Sequence, residues 1–186
     1  MSGLPGAATE VAPGSVRQVS KIPAAADEAR FWTLIESAWE LVGDEPAALR
    51  KALIHRENDE VVPAVEAQVP HFLGHLRTLS ESLSSDELTV LDRVLERKLY
   101  DLDRADIHGV TGGSDDGFLY CRGFIVAMGR EFYDAALAAP AVAVRDTDGG
   151  KMCYFFAHLH SDRFGAFPKT ESGISRESFS NPAGWN

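Results

Sequence analysis

The sequence predicts an all-α protein: a single compact multi-helix domain over residues 24–165, carried between a flexible N-terminal arm (1–23) and a flexible C-terminal tail (166–186). Three observations predict it. Apolar residues recur every three or four positions in successive windows, the period of an amphipathic helix. Those windows open on capping residues and close on glycine or proline. The chain of 186 residues is 45% hydrophobic and 25% charged, an ordinary globular composition for one domain.

Each element follows from its residues. Phe31, Ile35, Ala38 and Val42, widened by Trp32 and Trp39, form one helical face from Asp27 to the stop at Gly43. Asp44 then offers an N-cap with Pro46 in the first turn, and Leu49, Ala52 and Leu53 give a second, shorter helix its inner face. Pro63 and Pro70 disfavour helix in the residues before them, so 57–70 reads as one or two broken turns. Pro70 suits the first turn of a helix through Phe72, Leu73, Leu76, Leu79 and Leu83. Ser84-Ser85-Asp86-Glu87 matches a capping box, and Leu88, Leu91, Leu95, Leu99 and Leu102 form the stripe behind it. After Gly109–Gly113, Ser114 is a natural N-cap with Asp115 and Asp116 in the first turn, where the helix dipole favours negative charge. Phe118, Cys121, Ile125, Met128 and Phe132 share one face, broken at Gly129, and Tyr133, Ala136 and Leu137 extend it to Pro140. Residues 141–160 admit a hairpin about the turn Asp146–Gly150, or a helix from Met152 onward. The tail returns to Ser, Gly, Pro and charges, with Phe167, Phe179 and Trp185 as its large apolar residues.

Composition excludes several classes of function. With 28 acidic against 18 basic side chains, a formal charge of −10 repels phosphate backbones, and no basic run or stacking motif opposes this, so no nucleic-acid partner is expected. Two cysteines, Cys121 and Cys153, lie in apolar stretches and argue against a disulfide scaffold. Residues 1–23 lack the basic and apolar regions of a secretory signal. No run approaches the roughly 20 apolar residues that span a bilayer, so the expectation is a cytoplasmic protein with no membrane partner.

The stretch Gly112-Gly113-Ser114-Asp115-Asp116-Gly117-Phe118, followed by Tyr120-Cys121-Arg122 and Gly129-Arg130, is where function is expected. Asp115 and Asp116, with His108 nearby, are the candidate acid/base residues or hard-metal ligands. Neighbouring helical residues diverge by about 100°, so first-turn capping is the preferred reading of the two aspartates. Ser114, Tyr120, Arg122 and Arg130 are candidate binding residues. Buried arginine calls for carboxylate partners, and an Asp–Arg network locking the glycine loop is the expected use of Arg122 and Arg130. His71 and His75 share a helical face, but without a glutamate between them or a Cys-x-x-Cys no metal site is expected. Burial blunts Cys121 as a nucleophile, and neither a nucleophile elbow nor a phosphate loop is present, so no cofactor is expected.

Phe31-Trp32-Thr33-Leu34-Ile35-Glu36, Ser85-Asp86-Glu87-Leu88, Gly113-Ser114-Asp115-Asp116-Gly117-Phe118 and Gly129-Arg130-Glu131-Phe132-Tyr133, in that order, resemble a bacterial, largely actinobacterial family known as domain of unknown function 4240. The similarity covers roughly residues 28–165. It implies a small, mostly helical domain with no assigned activity, and it favours helix over hairpin for residues 151–161. Leu102-Asp103-Arg104-Ala105 departs from the Leu-Trp-Ala-Ala-like step usual in the family, and Arg122-Gly123-Phe124 from an arginine followed by a tryptophan. These departures imply a relative specialised for a partner or ligand of its own.

The function expected from all this is a non-catalytic binding or protein-interaction module, its protein or small-molecule partner unspecified. An acid/base or metal-assisted enzyme centred on the glycine loop is the alternative. A third class makes the tail the working end, with Trp185 as the anchor that docks to a partner.

Overall fold

Residues 22–186 are described by a computed structural model, so the arm expected over 1–23 lies, apart from Ile22 and Pro23, outside the described residues. Ten α-helices follow in order among them, with no strand: α1 (Ala25–Val42), α2 (Asp44–Ala52), α3 (Val62–Glu66), α4 (Val69–Ser80), α5 (Ser85–Asp101), α6 (Ala105–Thr111), α7 (Asp115–Ala127), α8 (Arg130–Ala138), α9 (Gly150–Cys153) and α10 (Phe155–Phe164). The all-α expectation holds, and 151–161 is helix rather than hairpin. The short α3 and α9 carry too few turns to show a period in the sequence.

Helix α1 packs against α4 and α5, α10 runs along α5, and α9 lies across α7. The core they enclose draws Phe31, Ile35 and Trp39 from α1, Phe72 and Leu76 from α4, the leucine stripe from α5, and Phe118, Phe124 and Ile125 from α7, all buried. Trp39 stacks on Phe72 with ring centroids 4.9 Å apart. Its indole N–H, which burial would otherwise strand, donates to the Ala127 carbonyl at 2.7 Å. Arg50, also buried, bridges Glu36 (2.6 and 2.9 Å) and the Met128 carbonyl at 2.8 Å, fastening α2 to α1 and to the break at Gly129 between α7 and α8.

Residues 166–186 correct the expectation of a mobile tail. They form an irregular strap, with one 3₁₀ turn at Pro182–Gly184, in which Ser172, Arg176 and Asn181 are buried against the helices. Hydrogen bonds rather than apolar periodicity hold the strap, which is why its Ser- and Gly-rich composition read as disorder. Arg176 grips Asp92 of α5 at 2.8 and 3.1 Å, and Glu96 accepts from Ser172 and Thr170. His160 links α5 to the strap's start, its Nε2 at 2.7 Å from the Ser85 hydroxyl and its Nδ1 at 2.6 Å from the Ala166 carbonyl.

The capping box at the start of α5 forms as expected. Ser84 Oγ accepts from the Glu87 amide at 3.3 Å, and the Glu87 carboxylate accepts from the Ser84 amide at 2.8 Å. That amide, then Arg30 at 2.6 Å, holds the Glu87 carboxyl down at about 2, against an ordinary 4.5. A depressed folded-state value contributes stability that is fully present above about pH 4.5 and is lost as the pH falls toward 2. Glu87→Gln is therefore expected to lower Tm at neutral pH, with the gap to the parent closing across that window. A gap that stays constant with pH in thermal melts would refute this.

Candidate functional site

Ser114 caps α7 as the sequence predicts, its hydroxyl accepting from the Gly117 amide at 3.4 Å. Asp115 and Asp116 stand exposed in the first turn, and no hydrogen bond or ion pair of their carboxylates is found among the described residues. The expected Asp–Arg network does not form. Arg122, fully buried, donates instead to the Leu99 carbonyl and to the Ser178 hydroxyl, both at 2.8 Å, while its guanidinium lies over the Phe118 ring. Burial lowers its pKa, with Asp103 opposing that shift. Arg130 points to the surface beside Asp134 at 3.4 Å. His108 is half-buried among the rings of Phe118, Phe179 and Trp185, with Nε2 at 3.2 Å from the Gly113 carbonyl. The loop's polar residues thus face in different directions, and none of Asp115, Asp116 or His108 lines either cleft beside Tyr154.

Tyr120 belongs to a different place. Gly149 and Gly123 bring the turn before α9 against α7 backbone to backbone: a Cβ on Gly149 would lie 1.9 Å from the Phe124 nitrogen, and one on Gly123 2.4 Å from the Gly149 carbonyl. The Gly149 amide donates to the Tyr120 carbonyl at 3.0 Å. That contact sets Tyr120 beside Asp148, Gly150 and Lys151, and with Gly74 and Arg77 of α4 and Tyr154, Phe155 and His158 they line a groove of about 650 Å³.

Tyr154 and His158 also wall a second cleft of about 410 Å³, closed on its other side by Phe167 and Pro168 of the strap. Its floor is the buried Asp92–Arg176 pair with Glu96 at 3.6 Å. Burial raises the Asp92 carboxyl, and Arg176 opposes that shift. The Tyr154 hydroxyl donates to Glu177, and burial together with that bond pushes its pKa up. Two clefts therefore meet along one tyrosine and one histidine, with aromatic walls and a charged floor.

Around the wider opening, Arg77 is engaged with Asp162 at 3.1 Å and Glu81 at 3.5 Å. Lys151 has no ion pair among the described residues. Gly74 sits mid-helix, exposed, and a Cβ there would meet nothing within 4 Å. A further shallow opening near Arg56 and Val142 has its guanidinium consumed by the carbonyls of Leu53, Val142 and Ala143, a structural arrangement. Among the described residues no three His, Cys, Asp or Glu side chains group as a metal site. The two cysteines are buried, with the Cys153 thiol pushed up to about 12.

Reading the sequence alone missed Gly74, Lys151, Tyr154 and Arg176. A glycine interrupting an otherwise regular helical stripe was the one available signal.

The chain is a small all-α domain in which two clefts share Tyr154 and His158. Residues 26–161 match the model of a family described as a protein of unknown function (DUF4240), and the chain belongs to that family. No curated protein and no solved structure matches it.

Because Ser114 caps α7 while the aspartates lack side-chain partners, Ser114→Ala is expected to cost about 0.5–1 kcal/mol. Asp115→Asn and Asp116→Asn should each change stability by less than about 0.5 kcal/mol, through the helix dipole alone. Urea titrations of the three variants decide it; an aspartate variant losing more than the serine variant would contradict the geometry.

Proposed function

We propose that this is a cytoplasmic, non-catalytic binding module whose ligand seat is the groove between α4 and α9, continuing past Tyr154 and His158 into the second cleft. The observation that carries this reading is Gly74. A glycine in a helix interior costs roughly 0.5–1 kcal/mol relative to alanine. No neighbour requires it here, since a side chain at that place would meet only open groove. A bare floor kept at the expense of helix stability is what a seat for a ligand needs.

The lining suggests the ligand's chemistry. Tyr120, Tyr154 and Phe155 offer ring faces, and Lys151 offers an ammonium not committed to an ion pair among the described residues, a set that suits a flat ring carrying an acidic group. The loop-centred enzyme has less to stand on, because Asp115 and Asp116 project into solvent and His108 is enclosed by rings.

Titrating benzoate-type and benzylamine-type fragments into the labelled chain, followed by amide NMR, tests the reading. Aromatic carboxylates should shift Gly74, Gly150 and Lys151 saturably at millimolar concentration, and Lys151→Ala should abolish the effect. Gly74→Ala should stabilise the fold by about 0.5–1 kcal/mol while weakening fragment binding. Shifts confined to Gly113–Gly117, or none at all, would discard the proposal.

A further inference from the structure

Asp103 lies in the turn between α5 and α6 with no exposed surface. Its carboxylate accepts the backbone N–H groups of Phe179 (3.0 Å), Ser180 (2.7 Å) and Asn181 (2.9 Å) and the indole N–H of Trp185 (3.0 Å). All of these donors belong to the strap. Around them the helical body supplies the Tyr100 carbonyl to the Asn181 amide at 3.1 Å, and Arg122 to the Ser178 hydroxyl. His108 and Phe118 wall the groove, with Phe179 and Trp185 packed between 5.5 and 6.3 Å from them. The Arg122 Nε is buried and without a partner.

The strap turns at Ser178 and Phe179, so that consecutive main-chain N–H groups converge on one carboxylate; such backbone capture gives affinity, and the aromatic anchor that follows gives selectivity. The strap is held at that groove, and along α5 by Arg176 on Asp92 and by Thr170 and Ser172 on Glu96, rather than by a core of its own. Phe179 remains 47% exposed and takes a left-handed φ of 64° at the residue where Asp103 first grips it, a conformation that disfavours a bulky side chain. Its connection to α10 carries Gly165 and Pro168 and leaves Phe164 and Phe167 exposed at 44% and 60%. The family match ends at residue 161, before the strap begins.

We propose that the groove of Asp103, His108, Phe118 and Arg122 is a recognition site for a turned Ser-aromatic-Ser-Asn segment followed by tryptophan, and that a second copy of this chain supplies that segment in exchange for the resident strap. Vacating the groove would leave a buried carboxylate and a buried guanidinium short of partners, which is strongly unfavourable, so replacement is favoured over release. A second copy carries the same segment, and exchange preserves every contact. The exposed phenylalanines at the hinge would be covered where two connections cross. The tether favours the resident strap through its effective concentration, on the order of millimolar, so the parent chain alone remains largely monomeric at lower concentration.

The test uses full-length chain carrying Trp185→Ala, in which the groove is intact and its own strap has lost its anchor. The probe is a fluorescent synthetic peptide of residues 170–186. The peptide should bind the variant at least about tenfold more tightly than it binds the parent, and adding Asp103→Asn should remove the binding. Excess unlabelled parent chain should displace the peptide, since its strap reaches the open groove of another copy. The same peptide carrying Trp185→Ala should bind the parent chain about tenfold more weakly than the native peptide does, a comparison independent of how the variant chain folds. The proposal falls if the native peptide fails to bind the variant at millimolar concentration, or if the parent chain does not displace it. It falls equally if Trp185→Ala abolishes the helical circular dichroism, because the strap would then be an inseparable part of the folding unit.

Discussion

The approach of Gly123 to Gly149 is the constraint on which the rest of the arrangement depends. Two backbones meet there at distances that no side chain tolerates, and the hydrogen bond from Gly149 to the Tyr120 carbonyl, with the Cys153 thiol directed at the Leu119 carbonyl at 3.3 Å, fixes their register. The consequence runs outward. Helix α9 is only four residues long and cannot hold itself in place, so its position is inherited from α7. Lys151 and Tyr154 come with it, and α10 follows directly after Tyr154 to lie along α5. Both clefts therefore trace back to a pair of missing side chains.

A second organising theme is the handling of buried charge. Arg50, Arg122 and Arg176 are all buried, and each is stabilised in a different way. Arg50 has a carboxylate and a carbonyl from the helical body, a self-contained set. Arg122 has carbonyl and hydroxyl partners, one of them on the strap. Arg176 is itself on the strap and neutralises Asp92. Buried ions are tolerated when their hydrogen bonds are complete, and costly when one partner is removed. The body without its strap would leave Asp92 and Asp103 unpaired, so the strap serves as counter-ion and donor set for α5 and the turn after it. The second cleft belongs to the same economy, because Arg176 forms its floor and Phe167 one of its walls.

Legibility in the sequence followed the kind of interaction involved. Short-range devices were readable: the capping box at Ser84 and Glu87, the Ser114 cap, the break at Gly129 and the α5 leucine stripe all formed where local pattern placed them. Arg122 was taken to need carboxylate partners at the glycine loop, whereas its partners are the Leu99 carbonyl and the Ser178 hydroxyl of the strap, at distances in sequence that no local pattern reports. Trp185 was singled out as the tail's anchor to a partner; in the structure its indole N–H donates to Asp103 of its own chain. The strap itself read as disorder because low hydrophobicity predicts the lack of a core, whereas it is held by N–H groups, which every non-proline residue carries and no composition reveals.

By itself, then, the sequence determined the all-α class, the positions of the principal helices and their buried faces. Those follow from periodicity, caps and breakers within a few residues of one another. Only the tertiary structure decided where the clefts lie and that residues 166–186 pack against the helices. The groove exists because α4, α7 and α9 converge around two glycines, and the strap exists because one buried carboxylate gathers donors about 76 to 82 residues further along the chain. Both are meetings of distant segments, whose geometry is set by packing after the helices have formed.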